Sequence, residues 1–231
     1  MDKVYSLHRY EEIDVIAESI ICEVHGCIPA SIQWLLEWSE LSGHIKTGID
    51  FNDFQEDICK KFPKENRGFP NIIEYIANKY NQTLGKIKLR SQNFKTGADK
   101  FKTICDFLKE QRCILISIPS FLERRKPNSS YVRETYFISL YDQKQSVLAL
   151  EQKVEDFFEK KNAAQVKPSS KIENSIIRGF HIIPVIRCSE SRLTVKDIAD
   201  NKEKEFTRKH LEYLHDEEKI IGGKDLLWLE Y

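Results

Sequence analysis

Residues 26–36 of this 231-residue chain read Gly-Cys-Ile-Pro-Ala-Ser-Ile-Gln-Trp-Leu-Leu. A proline fits the first turn of a helix, because the N–H that it lacks has no helical partner there. Apolar residues then recur at helical spacing up to Trp38, and Gly43 is a typical residue for ending a helix. The sequence therefore predicts a helix over residues 28–42, with Cys27 immediately at its start.

A cysteine in this position has a backbone environment that favours its anionic form. The free N–H groups at a helix N-terminus stabilise a negative charge, and the thiolate is the nucleophilic form of cysteine. The N–H groups of Cys27 and Ile28 are also placed to stabilise an oxyanion that develops during acyl transfer. The alternative is that Cys27 is a core cysteine that happens to begin a helix.

The rest of the chain groups its predicted helices before its predicted strands, which is typical of an α+β protein. Further helices are predicted over Asp50–Phe62, from Pro70 onward, and over residues 98–111, whereas residues 10–21 fit a helix or a strand. Strands are predicted at Cys113–Ile118, at Thr135–Tyr141 and Ser146–Leu150 as a hairpin, and at Ile176–Arg187 paired with Arg192–Val195. Residues 160–175 fit a flexible connection, residues 196–219 a charged helix, and Leu226–Leu229 an edge strand.

The composition excludes several classes of protein. The chain has 36 Lys+Arg and 36 Asp+Glu, so its formal charge of zero lacks the basic excess of a nucleic-acid-binding domain. No apolar run approaches the roughly 18 residues of a membrane span, and the N-terminus lacks the pattern of a secretory signal. Six dispersed cysteines then favour a reduced, cytoplasmic protein. We expect one domain over residues 1–231 and no cofactor. We also expect no metal site, because the cluster Cys22-x-x-His25-x-Cys27 lacks the second pair of ligands that a zinc site needs.

The segment Cys27-Ile-Pro-Ala-Ser-Ile32 and the apolar helix after it resemble the nucleophile segment of papain-like cysteine peptidases. The nearest type is the bacterial one that processes bacteriocin leaders, and the resemblance extends over about residues 18–152, to a strand ending in Tyr141-Asp142. It implies a papain-like α+β fold, in which N-terminal helices, including a central nucleophile helix, pack on a mainly antiparallel sheet. Residues 153–231 would add a hairpin, a charged helix and a terminal strand.

The resemblance departs from the family at the partners of the cysteine. Counting back from Tyr141-Asp142 puts Glu134 where the family has its histidine base, and the orienting acid would fall near Glu151. The glutamine that the family uses for the oxyanion has no counterpart in residues 18–23. A carboxylate at residue 134 cannot replace an imidazole, which is a neutral base near pH 7 and becomes a cation beside the thiolate.

A later hairpin offers a substitute pair. His181 lies near the start of the predicted strand 176–187, and Asp197 follows the second short strand. The order Cys27, His181, Asp197 keeps the papain-like sequence of roles as nucleophile, general base and orienting acid. The alternative is that His181 is a hydrogen-bonded structural histidine on a half-buried strand.

Two functions remain open at this point. The first is a cysteine peptidase-like hydrolase that acts on a peptide or protein through Cys27, His181 and Asp197. The second is an inactive pseudo-peptidase that binds a peptide or protein partner, a reading that Glu134 favours. The sequence does not determine the oligomeric state, and Trp34 and Trp38 fit either core packing or one side of a substrate groove.

Overall fold

The computed structural model describes the following parts of the chain: residues 3–16, 27–62, 71–72, 74–76, 78, 88–124, 132–136, 176–199, 201–209, 211–212 and 226–230. Its main helices are α1 (Cys27–Leu41), α2 (Phe54–Lys61) and α3 (Gly97–Lys109), and a short 3-10 helix spans Tyr10–Glu12. The described residues between 71 and 78 are helical too. The helices predicted over residues 28–42, 50–62 and 98–111 are therefore present, with α1 ending before Gly43, whose φ of 75° is one that glycine tolerates.

Eight strands are found in the described residues, and they form one sheet. They are β1 (Tyr5–Ser6), β2 (Lys88–Gln92), β3 (Ile114–Arg124), β4 (Val132–Tyr136), β5 (Ile176–Cys188), β6 (Arg192–Asp197), β7 (Lys202–Thr207) and β8 (Leu226–Glu230). The order along the sheet is β2-β8-β3-β5-β6-β7, with β1 added beside β5 and β4 beside β3. All of these pairs are antiparallel. The protein is thus α+β with an antiparallel sheet, as predicted.

The centre of the sheet is the long pairing of β3 with β5. It runs from Ile114 opposite Val185 to Glu123 opposite Ile176, and it sets Ile118 opposite His181. The side chains of β3 from Ile114 to Ile118 are buried on both faces of the sheet. A strand that is covered on both faces reads as a continuous apolar run, which is how Cys113–Ile118 was predicted.

Two elements differ from the sequence prediction. Lys202–Thr207 is the strand β7 rather than part of a charged helix, although its Lys-Glu-Lys-Glu run has high helix propensity. Pairing with β6 overrides that propensity, because it sets opposite charges side by side, as in Arg192–Glu205. Strand β8 is not an edge strand, since it lies between β2 and β3 and its Leu226 and Leu227 are buried.

Other predicted elements fall wholly or partly outside the described residues. The strand Ser146–Leu150 and the connection 160–175 lie wholly outside them. Of residues 10–21, the structure describes the 3-10 helix and the stretch after it up to Ile16, and residues 17–21 lie outside the described residues. No helix in the described parts of the chain is both long and apolar enough to cross a membrane. Cys59 is disulfide-bonded, contrary to the expectation of reduced thiols, whereas Cys27, Cys105, Cys113 and Cys188 are free.

Helix α1 packs its apolar residues against the central strands. Trp34 and Trp38 are almost completely buried, which makes them core residues rather than the side of a groove. Trp38 also donates its indole N–H to the carbonyl oxygen of His8 at 2.9 Å. The Ser31 hydroxyl donates to the carbonyl oxygen of Ile182 at 2.6 Å, and this buried bond ties the first turn of α1 to β5.

The Ser31→Ala variant tests the contribution of the hydrogen bond from Ser31 to Ile182. We expect it to lower the free energy of unfolding by about 1–2 kcal/mol, because a buried hydrogen bond between two elements is lost. Ser39→Ala is the matched control, since Ser39 is equally buried on α1 but donates to Leu35 within the same helix. Urea unfolding of both variants gives the measurement, and an effect of Ser31→Ala no larger than that of Ser39→Ala would contradict the assigned role.

Candidate active site

Cys27 is the first residue of α1, where the sequence predicted a helix start. The first N–H groups of a helix have no partner within it, so they point their partial positive charge toward this end. Pro29 follows within the first turn and contributes no N–H. The Cys27 side chain is buried, with 5% exposed, and its thiol is free.

His181 lies on β5 and makes contact with Cys27. The interaction with the Cys27 thiol raises the pKa of His181, so the two side chains lie close together, and the imidazole is fully buried. The bond from Ser31 to Ile182 explains the contact, because it holds the residue next to His181 against the turn of α1 that follows Cys27. The core packing of α1 on β5 thus places a sulfur beside a ring nitrogen.

Asp197 ends β6 and holds the other side of the imidazole. Its Oδ1 lies 2.9 Å from Nε2 of His181 and accepts a second bond from the N–H of Ala199 at 3.0 Å. Its Oδ2 accepts a bond of 2.7 Å from Nζ of Lys204 on β7. Both carboxylate oxygens are therefore engaged, which fixes the plane of the carboxylate and the ring that it contacts.

The charges of these groups follow from their contacts. Burial by itself lowers the pKa of His181, but hydrogen bonds to Asp197 and Cys27 outweigh it and raise the pKa to about 10. Burial by itself raises the pKa of Asp197, but the bonds from His181 and Lys204 hold that pKa well below its usual range. At neutral pH the pair is an imidazolium beside a carboxylate.

The arrangement can support nucleophilic chemistry. Asp197 occupies Nε2, so Nδ1 is the ring nitrogen that remains for proton exchange with the sulfur. Cysteine is activated for acyl transfer when its sulfur faces a histidine that is in turn oriented by a carboxylate. The three residues that the sequence singled out are therefore close in space, with Nε2 of His181 2.9 Å from Oδ1 of Asp197 and the Cys27 thiol interacting with the same imidazole.

Glu134, the position at which the family pattern has its histidine, does not join this site. Glu134 lies on β4, opposite Leu122, on the side of β3 away from β5, whereas His181 lies opposite Ile118. Glu151, His25, Cys22 and the segment 18–23 are outside the described residues. Within the described residues no group of three or more His, Cys, Asp or Glu side chains is placed to hold a metal.

Sequence reasoning missed two residues of the site, Lys204 and Ser31. Lys204 was assigned to a helix, which would not have directed its side chain to Asp197. The signal that could have revealed it is Asp200-Asn201, a pair of turn-forming residues between Asp197 and Lys202 that is typical of a hairpin. Asn201 has a φ of 55°, which asparagine tolerates better than most residues.

Comparisons with known proteins give one distant structural similarity. No family model matches the chain, and no curated protein matches it. A crystal structure from Bacillus anthracis, provisionally described as a C39-like peptidase, superimposes with a TM-score of 0.49 at 10% identity, covering 100% of this chain and 99% of the other. A similarity this distant identifies neither a family nor an activity, so the functional conclusion rests on the site itself.

The buried His181 makes stability depend on pH. Its folded pKa of about 10 exceeds the ordinary value of 6.5, so its contribution is complete below about pH 6.5 and is lost as the pH rises toward 10. We therefore expect the stability difference between wild type and His181→Gln to shrink over this range in chemical unfolding. The exposed His8 gives the control, because His8→Gln should leave the difference constant. A difference for His181→Gln that stays flat or grows would contradict the proposed ion pair.

Proposed function

We propose that this protein is a papain-like cysteine peptidase that hydrolyses an amide bond of a peptide or protein. The observation that carries the proposal is the single imidazole that contacts both Cys27 and Asp197 at the N-terminus of a helix. The two ring nitrogens of this histidine face an ionised carboxylate and a sulfur, which is the arrangement that a general base of a cysteine nucleophile requires. The order of the three residues along the chain is also that of the papain-like peptidases.

Each group has a defined part in the proposed reaction. The Cys27 thiolate attacks the carbonyl carbon of the substrate, and the oxyanion that forms is stabilised by the N–H groups of Cys27 and Ile28. His181, as the imidazolium, gives its proton to the leaving amine, and a thioester to Cys27 remains. His181 then takes a proton from water, which attacks the thioester, releases the carboxylic acid and restores the thiolate. Asp197 keeps the ring oriented through both halves of the reaction.

The burial of the site favours a second candidate function. Cys27 is only 5% exposed and His181 is fully buried, so a substrate has little direct access to them. A pseudo-peptidase that binds a peptide or protein without cleaving it would have no need of an accessible sulfur. The reactivity of Cys27 therefore separates the two functions.

Alkylation by chloroacetamide at pH 7 measures that reactivity. We expect Cys27 to react at least about a hundredfold faster than Cys113, because an imidazolium and helix-start amides stabilise its thiolate. Cys113 is the matched control, since it is also free and buried, and burial raises its pKa well above the ordinary value. Peptide mass spectrometry gives the rate at each cysteine. Equal rates at Cys27 and Cys113 would contradict the peptidase.

The role of His181 is tested by the His181→Ala variant. We expect its alkylation rate at Cys27 and its cleavage of a mixed peptide library to fall about a hundredfold or more, as when a general base is removed. His44→Ala is the control, because His44 is exposed and lies at the other end of α1. An unchanged rate in His181→Ala would remove this histidine from the mechanism. Fast alkylation without cleavage of the library would favour the binding module.

Lys204 is proposed as a positioning residue, because its ammonium group bonds to the carboxylate of Asp197, which in turn holds the imidazole. In Lys204→Met we expect alkylation of Cys27 to slow about tenfold and its pH profile to shift, because Asp197 loses a charged partner. Lys204→Arg should restore most of the rate, since it keeps the cation. Lys209→Met is the control on an exposed lysine beyond β7. A loss that Arg does not rescue would indicate packing rather than charge.

A further inference from the structure

A second pair of thiols lies at the far end of β5. Cys188 is the last residue of that strand, and Cys105 lies on α3. Both cysteines are free and buried, and their side chains are hydrogen-bonded to each other. The Cys105 thiol also donates to the carbonyl oxygen of Ser189, the residue after Cys188, at 3.7 Å. The two thiols therefore lie close together at the end of β5, where a disulfide between them is a reasonable product.

Cys105 lines a cavity that connects this pair with solvent. The cavity has a volume of about 550 Å³ and is lined by α3 residues together with Glu190 and Arg208. Its charged lining consists of three cations and three carboxylates, namely Lys102, Lys109, Arg208, Asp99, Asp106 and Glu190. Cys188 is not part of the lining and is only 2% exposed. A small reagent that enters the cavity would therefore meet Cys105 first.

The electrostatics of the pair are asymmetric. The hydrogen bond from Cys188 lowers the pKa of Cys105, and Lys109 and Arg208 lower it further, against the opposing effects of burial and Asp106. The same hydrogen bond and burial raise the pKa of Cys188 well above its ordinary value. Cys105 is thus the more acidic thiol of the pair and Cys188 the less acidic one. Nucleophilic and resolving thiols in redox proteins divide their roles in this way.

We propose that Cys105 and Cys188 form a peroxide-reactive dithiol, distinct from the Cys27 site. The Cys105 thiolate attacks one oxygen of hydrogen peroxide, the O–O bond breaks, hydroxide leaves, and Cys105 becomes a sulfenic acid. The Cys188 sulfur then attacks the Cys105 sulfur, and the hydroxyl group leaves with the thiol proton as water. The product is a disulfide, so two thiols are oxidised by two electrons while the peroxide is reduced to water and hydroxide.

The disulfide would join α3 to the strand that carries His181. It would form seven residues beyond the imidazole, at the end of β5 where β1 also pairs. The proposal does not depend on the function of Cys27, because the two sulfurs have separate partners. It concerns a site of oxidative modification whose substrate class is a small peroxide.

The experiment treats the full-length protein with hydrogen peroxide in a Cys27→Ser background, which removes the other expected nucleophile. Non-reducing peptide mass spectrometry follows the Cys105–Cys188 linkage and the oxidation of each free cysteine. We expect the linkage to form at least about tenfold faster than Cys113 is oxidised, because burial alone keeps Cys113 a thiol. Oxidation of Cys105 at the rate of Cys113 would overturn the proposal.

Two further variants separate the roles of the pair. Cys188→Ser should let the sulfenic acid accumulate at Cys105, where dimedone traps it, because the resolving thiol is missing. Cys105→Ser should leave Cys188 as slow to oxidise as Cys113. A dimedone adduct on Cys188 in place of Cys105 would reverse the assigned roles and overturn the proposal as stated.

The cations at the cavity provide the last test. Lys109→Ala should slow oxidation of Cys105 about two- to fivefold, because a nearby positive charge favours its thiolate. Lys102→Ala is the matched control, since Lys102 also lines the cavity from α3 but is not among the charges that act on Cys105. Equal rates in the two variants would contradict electrostatic activation of Cys105.

Discussion

The candidate site depends on how helix α1 packs against strand β5. Ser31 and Ile182 are 151 residues apart in the chain, yet their hydrogen bond joins the two elements inside the core. A helix turns about 100° per residue, so a shift of α1 by one residue would carry the Cys27 sulfur away from His181. The site therefore depends on the core packing around it, in which Trp34 and Trp38 are buried on the same helix.

The charged groups of the site form a row that alternates in sign, and this alternation stabilises them in a buried environment. Ionised groups away from water are costly unless each has an opposite charge and a hydrogen bond. Lys204 is followed by Asp197 and then by His181, and in the proposed state the thiolate of Cys27 comes next. The row begins at Lys204, which is 21% exposed, and ends at the positive end of α1. Each member thus stabilises the charge of its neighbour, and the row as a whole is neutral.

The sequence predicted the parts of the fold in which local and long-range preferences agree. The start of α1 combines a proline, an apolar face and a preceding cysteine, and the continuous apolar run at Cys113–Ile118 fits a strand buried on both faces. The sequence prediction was wrong for Lys202–Thr207, which was assigned to a helix. Four charged residues in a row have helix propensity, and only their pairing with β6 makes them a strand. Lys204 was missed for the same reason, since no local pattern shows which lysine faces Asp197. The contact of Cys27 with His181 likewise requires the pairing of β3 with β5, a long-range property that spacing within one segment does not contain.

The cysteines also show that environment, rather than residue type, decides what a buried sulfur can do. Cys113 has only hydrocarbon burial acting on it, and its pKa rises accordingly. Cys105 is buried too, but a thiol donor and two cations reverse the effect of burial. Cys27 has a third environment, an imidazole that is itself held by a carboxylate. Strand β5 supplies a neighbour in two of these cases, His181 near its middle and Cys188 at its end, so the strand that organises the core also sets the surroundings of two of the free thiols.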